Sequence, residues 1–499
     1  MSMYGSGQAS KRQKRETRNF DTNEFFPGLS RVEYRPEAGP DETLFYRYYG
    51  GATERVHGRT MEEWLRPAVS FPHAFRSTGA DAFGQQTFQR PWDDGTNTMD
   101  NFKRRIRAAF EFYTKLVVSH HSYFNNLGHV GAKYWTLYDR DLCPEGETPE
   151  ETGRNMDEAI ELVTELQQRT GVRPLWLGVD LFSHPRYVHG AGTSPEAGVV
   201  AMAGAQVRRG MEAAHRLGAE AFLFPAAREG FPSILHSDIQ REMRNYARFL
   251  RMAAEFKEKL GFRGQLLLAP TVPEGPACGS GGWAKGGTGF GGGAGGHSYL
   301  YDAMSALCFL KHHQLDRHFK LSVHLGNDVH ISSAFGVLGS LDTYSPTEDG
   351  IYHDPSVIDL REATLAMKTI LEQNGLPSGG GLNVVAAPHR QSIELRDLFV
   401  AHISRIDAFA RALKAASRML TDGQRYLSFH TGFGSRMAGG AGSPTAVGAS
   451  GIVATSPGGT TTEATPGLEE CEEYVRKHGE PTQTSARHEH WEATLAHYL

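Results

Sequence analysis

Helix-period and strand-like segments alternate along the chain from about Asn101. In the first kind, apolar residues recur every three or four positions, which is the spacing of an amphipathic helix. The second kind is short, rich in Leu, Val and Phe, and bounded by Gly or Pro, as buried parallel strands usually are. The helical segments include NFKRRIRAAFEFYTKLVV, RNMDEAIELVTELQQRTG, SDIQREMRNYARFLRMAAEFKEKLG and REATLAMKTILEQNG; the strand-like runs are KYWTLYD, PLWLGVDLF, EAFLFPA, QLLLAP, FKLSVHL, GVLGSLD and LNVVAA, with an eighth plausible in VSFPHAF.

This alternation predicts a βα repeat and therefore an α/β fold. Seven or eight buried strands suit a closed TIM (β/α)8 barrel better than an open dinucleotide-binding sheet, because no GxGxxG turn opens any of the helices. In such barrels the active site lies at the C-terminal ends of the strands. The end of the QLLLAP run is unusual for such a place, since it carries no charged side chain before Glu274.

Two glycine-rich segments divide the chain. Twelve of the 22 residues from Gly275 to Gly296 are glycine, and a second such segment runs from Gly434 to Gly467. Segments of this composition cannot bury enough surface to offset their ordering entropy, so we predict flexible loops. Neither ends in the GKS or GKT of a phosphate loop. We predict a basic leader over residues 1–24, the barrel over 25–433 with an insertion at 275–296, a second insertion over 434–467, and a C-terminal helical arm over 468–499.

Composition shows no global bias toward nucleic acid or anionic membranes, with 39% hydrophobic residues, 22% charged residues and a net charge of −5. The four cysteines lie far apart without CxxC spacing, which suggests neither a zinc site nor a disulfide framework. No apolar run reaches the roughly 18 residues of a membrane span, and the N-terminus lacks the apolar core of a secretory signal. We therefore expect a soluble intracellular protein, cytoplasmic by default, with a mitochondrial or nuclear location left open.

A dense basic run extends from Lys11 to Arg18. Its composition is compatible with a nuclear signal, an organelle presequence, an arm that touches RNA or a solvated tail. The rest of the chain has no basic stripe with interleaved aromatic residues. Contact with nucleic acid is therefore expected only through this run.

Several stretches together resemble the xylose isomerase family, in the family's order and from about Phe25 to Leu499. The resemblance implies a TIM barrel and aldose–ketose isomerisation by a hydride shift, promoted by two divalent cations such as magnesium, manganese or cobalt. Hard cations require oxygen ligands, and they polarise the sugar oxygens as Lewis acids. The stretches are FFPGLSRVEY, GRTMEEWLRPAVSFPHAF, TGADAFG, RPWD, DRDLCPEGET, LFSHPRYVHGAGTSP, AREGF, GGGLN, RQSIELRDLFVAHISRIDAFARALKAA and EEYVRKHGEP.

The resemblance also implies seven metal-ligand positions, and only Asp342 and Asp354 keep a carboxylate. A bridging glutamate of the family aligns with Ala269, and one imidazole cannot replace a second glutamate without changing the charge of the site. The family continues with a helix after these positions, and this chain is shorter by about ten residues before GVLGSLD, so we also expect the groups that surround the metal ligands to be disturbed. The five substituted positions are Ala269, His324, Asn327, Tyr352 and Val385.

Positions that the resemblance assigns to catalysis and substrate binding are changed as well. The family's ring-opening histidine aligns with Tyr138, while Asp139, which would orient it, is retained. A lysine that steadies the substrate aligns with Thr271. Tryptophans of the substrate wall align with Pro72 and Pro225, and the retained pocket residues are His73 and Phe83, the latter contributed to a neighbouring subunit in the family.

These substitutions favour a pseudoenzyme, a protein that keeps the isomerase fold without aldose–ketose isomerase activity and without a cofactor. We expect it to serve a structural, scaffolding or regulatory role in a homo-oligomer or a larger protein complex, joined through the C-terminal arm. An arm packed on its own barrel is the alternative.

Other functions remain open at this stage. The protein could retain metal-dependent conversion of xylose to xylulose, or His324, Asp342 and Asp354 could form a new single-metal site, since one nitrogen and two carboxylates can hold zinc, manganese or iron. A non-catalytic binder of sugar or of a phosphate ligand could use His73, Asp139 and Arg140.

Overall fold

The computed structural model describes residues 24–79, 85–116, 132–231, 233–270, 297–343, 358–422, 467–480, 485 and 487–499. Some of the residues singled out above lie outside the described residues. They are Phe83, Thr271, Tyr352, Asp354, the basic run from Lys11 to Arg18, the insertion at 275–296 and all of the second insertion except Gly467.

Eight parallel strands close into a barrel in which each strand pairs with the next along the chain and β8 pairs with β1. The predicted barrel is thereby confirmed, including an eighth strand at the start of VSFPHAF, where a short π-helix from Pro72 to Arg76 follows the strand. The strands are β1 (Pro67–Ser70), β2 (Tyr134–Tyr138), β3 (Arg173–Gly178), β4 (Ala221–Pro225), β5 (Gln265–Ala269), β6 (Phe319–His324), β7 (Leu338–Asp342) and β8 (Leu382–Val384).

The strands read as continuous apolar runs because both of their faces are covered. In β5, Leu266, Leu267 and Leu268 are all fully buried. Leu267 belongs to a cluster inside the barrel, while its two neighbours belong to the larger core between strands and helices. The inner cluster comprises Ala68, Leu175, Trp176, Ala221, Leu223 and Leu267.

The helices begin and end at residues that suit helix termini. Thr148 caps α4 by accepting a hydrogen bond from the backbone N–H of Glu151, and Gly171 ends the helix with φ of 73°. The helices are α1 (Met61–Leu65), α2 (Met99–Lys115), α3 (Asp139–Leu142), α4 (Pro149–Thr170), α5 (Ala197–Arg216), α6 (Ile239–Leu260), α7 (Ala303–His312), α8 (Asn327–Ala334), α9 (Leu360–Glu372), α10 (Leu395–Asp422), α11 (Leu468–His478) and α12 (His488–Tyr498).

A buried carboxylate, Glu229, fastens the segment that follows β3. It accepts hydrogen bonds from the backbone N–H groups of Ala191, Gly192 and Thr193 at 3.3, 3.0 and 2.9 Å, and from the Thr193 hydroxyl at 2.5 Å. We call this arrangement the Glu229 clamp. Because it satisfies buried backbone donors that lie outside any helix or strand, it fixes this part of the segment beside the barrel.

A second carboxylate performs the same task near the N-terminus. Asp407 of α10 accepts from the backbone N–H groups of Arg47, Tyr48 and Tyr49 at 2.7, 2.9 and 2.8 Å. Burial raises the pKa of Asp407, and the three backbone donors oppose that rise. The extended N-terminal segment is thus tied to a helix about 360 residues away in the chain.

The last helix, α12, packs against the barrel's own α10. The guanidinium of Arg418 donates to the carbonyl of Tyr498 at 2.6 Å, and Arg361 of α9 forms an ion pair with Glu492. By contrast, α11 has no buried residue, and Leu468 is 89% exposed. None of the helices in the described ranges is long and apolar enough to span a membrane.

Candidate functional site

The C-terminal ends of the eight strands form the barrel mouth, and most of the residues predicted from sequence meet there. The parallel register places Ala269 beside Pro225 and His324 beside Asp342. Val385 follows β8 directly, and Asn327 lies in the first turn of α8, the helix that follows β6. The mouth therefore has an apolar side at β4 and β5 and a polar side at β6, β7 and β8.

Aromatic rings line the mouth at β2 and β3. The Tyr138 ring lies edge-on to Trp176, with ring centroids 5.7 Å apart, and edge-on to Phe182 at 5.4 Å. Gly178 makes room for this ring, because a Cβ atom there would lie 2.8 Å from two atoms of Tyr138. The phenol lies in a packed aromatic cluster, and burial together with nearby carboxylates raises the pKa of Tyr138 well above its usual value.

A chain of polar groups crosses the mouth at β6, β7, β8 and β2. Asp342 accepts a hydrogen bond from the side-chain amide of Asn383 at 2.7 Å, and Asn383 in turn accepts from the hydroxyl of Thr136 at 2.6 Å. The Nδ1 atom of His324 lies 3.8 Å from the other oxygen of Asp342. Burial raises the pKa of Asp342, while His324 and Asn383 oppose the rise. We call these four residues the Asp342 chain.

The side chain of Asp139 accepts hydrogen bonds from one residue just after β3 and from another on α5. It accepts from the backbone N–H of Asp180 and from the side-chain amide of Gln206, each at 2.8 Å. Burial raises the pKa of Asp139 to about 6, against the opposing charge of Arg140. A carboxyl group with a pKa in this range changes its charge close to neutral pH.

The backbone of Tyr138 is hydrogen-bonded to the carboxylate of Asp141, not to that of Asp139. Asp141 accepts from the N–H of Tyr138 at 2.7 Å and from the guanidinium of Arg76 at 2.9 Å. Asp141 could not be selected over Asp139 from the sequence, because both residues follow the same strand within three positions. The Arg76 contact joins two βα loops and could only be seen in the fold.

The retained His73 lies in the π-helix after β1, whose first residue is Pro72. Its Nδ1 atom is 2.6 Å from the hydroxyl of Ser70. Burial lowers the pKa of His73 to about 3, with the positive charge of Arg405 acting in the same direction. The imidazole is therefore neutral at neutral pH.

The described side chains at the mouth include few of the oxygen ligands that a pair of hard cations requires. Of the five family ligand positions that the structure describes, Ala269 and Val385 have no donor atom and Asn327 contributes an amide. The remaining carboxylate, Asp342, already accepts from Asn383. Within the described ranges, no group of three His, Cys, Asp or Glu side chains is arranged to hold a metal ion. Two cations need several oxygen ligands each, and this set supplies too few.

The chain is similar to curated xylose isomerases over most of its length. It is 37% identical over 411 residues to xylose isomerase of Arabidopsis thaliana, covering 80% of this chain and 79% of that protein. It is 36% identical over 439 residues to xylose isomerase of Hordeum vulgare, covering 84% of each chain. The match to xylose isomerase of Thermoanaerobacterium thermosaccharolyticum is 32% over 498 residues and covers 96% of this chain and 99% of that one.

The solved structures that match include L-ribulose 3-epimerase, with a TM-score of 0.42, 11% identity, and coverage of 72% of this chain and 97% of that chain. D-psicose 3-epimerase with D-tagatose, from Clostridium cellulolyticum, has a TM-score of 0.38 and 11% identity and covers 56% of this chain and 89% of that chain. No protein-family model matches the chain.

Proposed function

This chain belongs to the xylose isomerase family, and we propose that it is a member without two-metal aldose–ketose isomerase activity, serving as a structural or regulatory subunit of an oligomeric assembly. The substitutions at the barrel mouth support the first part of this proposal. The hydrogen bonds to Glu229 and Asp407 and the exposed helix α11 support the second.

One observation carries the proposal: Ala269 at the end of β5 and Val385 just after β8 have no ligand atom in their side chains, and the carboxylate between them, Asp342, accepts a hydrogen bond from Asn383. Polarising two sugar oxygens requires positive charge at fixed positions. No described side chain at these strand ends provides the ligands for that charge. A hydride shift at this mouth would lack the electrostatic stabilisation on which the reaction depends.

Two carboxylates away from the mouth keep several backbone partners each. The Glu229 clamp satisfies four donors, and Asp407 satisfies three more. A chain under no requirement to fold would not need such contacts. Their presence supports a role in which the folded surface, rather than the mouth, is used.

The C-terminal arm supports a role in assembly. In α11, Leu468, Cys471 and Val475 recur at helical spacing, and no residue of the helix is buried. The more distal α12 packs on its own barrel, so only part of the predicted arm is free to contact another chain. We propose that α11 contributes to contact with a second copy or with another protein.

The assembly is tested by isolating the tagged full-length protein gently from its native cells and measuring the mass and composition of the particle. We expect either a homo-oligomer or a larger complex of fixed stoichiometry, and disruption of either by a Leu468→Glu, Val475→Glu double variant. A matched control is Glu469→Gln, Glu472→Gln, which alters charge but not the apolar positions. A monomer in native cell extracts would contradict the proposal.

A second candidate, a single-metal site, is favoured by the approach of His324 to Asp342 at 3.8 Å. Asp354 would complete it. Equimolar zinc, manganese or iron in the purified protein, lost in Asp342→Ala, would support this candidate and count against the absence of a cofactor.

A sugar binder without turnover would instead show stabilisation by xylose that Asp342→Ala leaves in place and His73→Ala removes.

A further inference from the structure

Four arginines form a stripe along the exposed face of α6. They recur at spacings of three, four and three residues, so they lie on one side of the helix. All four are exposed, and none forms an ion pair with another described residue. Glu242, a carboxylate within the same stretch, is engaged elsewhere, because it accepts from the Tyr299 hydroxyl at 2.5 Å. We call these residues the arginine stripe: Arg241, Arg244, Arg248 and Arg251.

The neighbouring helix α5 differs, because its exposed arginines are paired with carboxylates. Arg208 pairs with Glu212 at 3.0 Å, and Arg216 forms an ion pair with Asp157 of α4. The arginine stripe is thus a local excess of positive charge on a chain whose net charge is −5. Such an excess favours a partner surface that carries negative charge.

Apolar groups border the arginine stripe. Met252, one turn after Arg248, is 52% exposed, and its methyl carbon would lie 4.0 Å from a Cβ atom at Gly204 of α5. The Arg208 guanidinium lies over the ring of Phe256, with 5.9 Å between its carbon and the ring centroid. A helix docked on this face would therefore contact both charged and apolar groups.

The exposed helix α11 has the complementary composition. Glutamates occupy four of its first six positions; all are exposed, and none forms an ion pair with a described residue. The apolar Leu468, Cys471 and Val475 recur beside them at helical spacing, and the cations Arg476 and Lys477 are confined to the last turn. An apolar stripe with acidic neighbours matches the face of α6. The glutamates are Glu469, Glu470, Glu472 and Glu473.

The order of the barrel separates α11 from the arginine stripe of its own chain. α6 follows β4, whereas α10, on which α12 packs, follows β8, and these two strands lie opposite each other in the eight-stranded ring. Only nine residues join α11 to α12, so α11 is tethered on the α10 side. The arginine stripe of a second copy can lie on that side without the chain crossing half of the barrel.

We propose that α11 of one copy docks on the arginine stripe of a second copy, with its glutamates against the arginines and its apolar residues against Met252. This inference rests on the proposed role of α11 in assembly and names the surface that receives it. Because each copy carries both elements, a two-fold dimer makes the contact twice. No residue of the barrel mouth takes part in it.

The test is sedimentation velocity of the purified full-length protein over a range of concentrations. Exposed ion pairs contribute little singly, so charge is reversed rather than removed. The double variant Arg244→Glu, Arg248→Glu should raise the dissociation constant at least about tenfold, because like charges then face each other. The double variant Glu469→Arg, Glu472→Arg should have the same effect for the same reason.

Mixing the two reversed variants shows whether the contact joins two copies. Each variant repels itself but is complementary to the other, so a one-to-one mixture should associate within about threefold of the unmodified chain. The matched control reverses two exposed arginines of α4, Arg154→Glu and Arg169→Glu, and should leave the dissociation constant unchanged. For the unmodified chain, 1 M sodium chloride should raise the dissociation constant about tenfold over its value at 0.1 M.

Undiminished association of Arg244→Glu, Arg248→Glu, or a mixture that does not associate, would overturn the inference. An unmodified chain that is insensitive to salt would count against it even if the variants failed to fold. Dissociation by Leu468→Glu, Val475→Glu alone would leave the proposed function standing and show that α11 docks on another surface. A monomeric unmodified chain would contradict the proposed function itself. Loss of binding to poly(U) RNA in the arginine variant, with association unchanged, would assign the stripe to nucleic acid and overturn the inference.

Discussion

Two carboxylates, the buried Glu229 beside the barrel and the partly buried Asp342 at its mouth, differ in their hydrogen-bond partners. Glu229 accepts four hydrogen bonds, three of them from backbone N–H groups, whereas Asp342 accepts one from Asn383 and has His324 3.8 Å away. The first is part of the framework that defines the fold. The second lies at the mouth, where we propose that metal ligands have been lost, and the comparison teaches that the contacts that define the fold and those at the mouth can be tested separately.

The largest expected effect is loss of the Glu229 clamp. Glu229→Ala leaves three buried backbone donors and one hydroxyl without an acceptor, so we expect the free energy of unfolding to fall by about 4 kcal/mol. Urea unfolding followed by circular dichroism measures this. Glu212→Ala, at a surface carboxylate paired with Arg208, is the control and should change the value by about 0.5 kcal/mol or less. Similar losses in both variants would remove the distinction between framework and surface.

The next effect concerns pH and tests the retained Asp139. Its pKa is about 6 in the folded chain and about 4 in an unfolded one, so the folded state binds the proton more tightly. Its contribution to stability therefore falls by roughly 3 kcal/mol in total as pH rises from about 3 to about 7, with most of the loss between the two pKa values. Asp139→Asn should remove this fall. The substitution also alters the contact with Gln206, which changes the free energy of unfolding by an amount that does not depend on pH.

The measurement is the free energy of unfolding across that pH range for both proteins. Asp157→Asn, at a carboxylate whose side chain is 61% exposed, serves as the control and should leave the slope unchanged. If Asp139→Asn follows the same slope as the unmodified chain, Asp139 does not titrate in the way described.

A smaller effect probes the aromatic side of the mouth. Gly178→Ala places a Cβ atom 2.8 Å from the Tyr138 ring, and overpacking of this kind should destabilise the fold by about 2 kcal/mol. In a Tyr138→Ala background the same substitution should cost little, which a double-mutant cycle measures. Gly153→Ala, where nothing lies within 4 Å, is the matched control. An equal cost of Gly178→Ala in both backgrounds would show that Tyr138 does not occupy this space.

The smallest effect is expected at Asp342. Asp342→Asn keeps an oxygen for the amide of Asn383 and removes a desolvated charge, so the stability should change by less than about 1 kcal/mol. Glu229→Gln is the comparison and should cost several times more, because an amide N–H₂ would then face backbone donors. Chemical unfolding of the two variants compares them directly. A large fall in the free energy of unfolding in Asp342→Asn would show that Asp342 stabilises the fold as Glu229 does.

The sequence predicted the barrel because its strands are buried on both faces and so leave an apolar run, as in Leu266 to Leu268. The first strand was less distinct, since VSFPHAF continues apolar into a π-helix whose Phe75 packs in the core. The positions at the strand ends came from the family resemblance. The hydrogen-bond partners of these residues could not be predicted from the resemblance, because contacts such as that of Thr136 with Asn383 join residues 247 positions apart.

The same limit applies to the polar contacts that organise the mouth. Asp180 follows β3 and Asn383 lies in β8, which are places where candidate residues occur. Nothing in the local sequence indicates that Asp180 donates to Asp139 or that Asn383 donates to Asp342.

The central claim is tested most directly by assaying the purified full-length protein for conversion of xylose to xylulose with magnesium, manganese and cobalt in turn. The xylose isomerase of Arabidopsis thaliana, assayed beside it, shows that the conditions permit the reaction. We predict no turnover above that of a protein-free blank with any of the three cations. Sustained turnover that a chelator abolishes and Asp342→Ala removes would contradict the account.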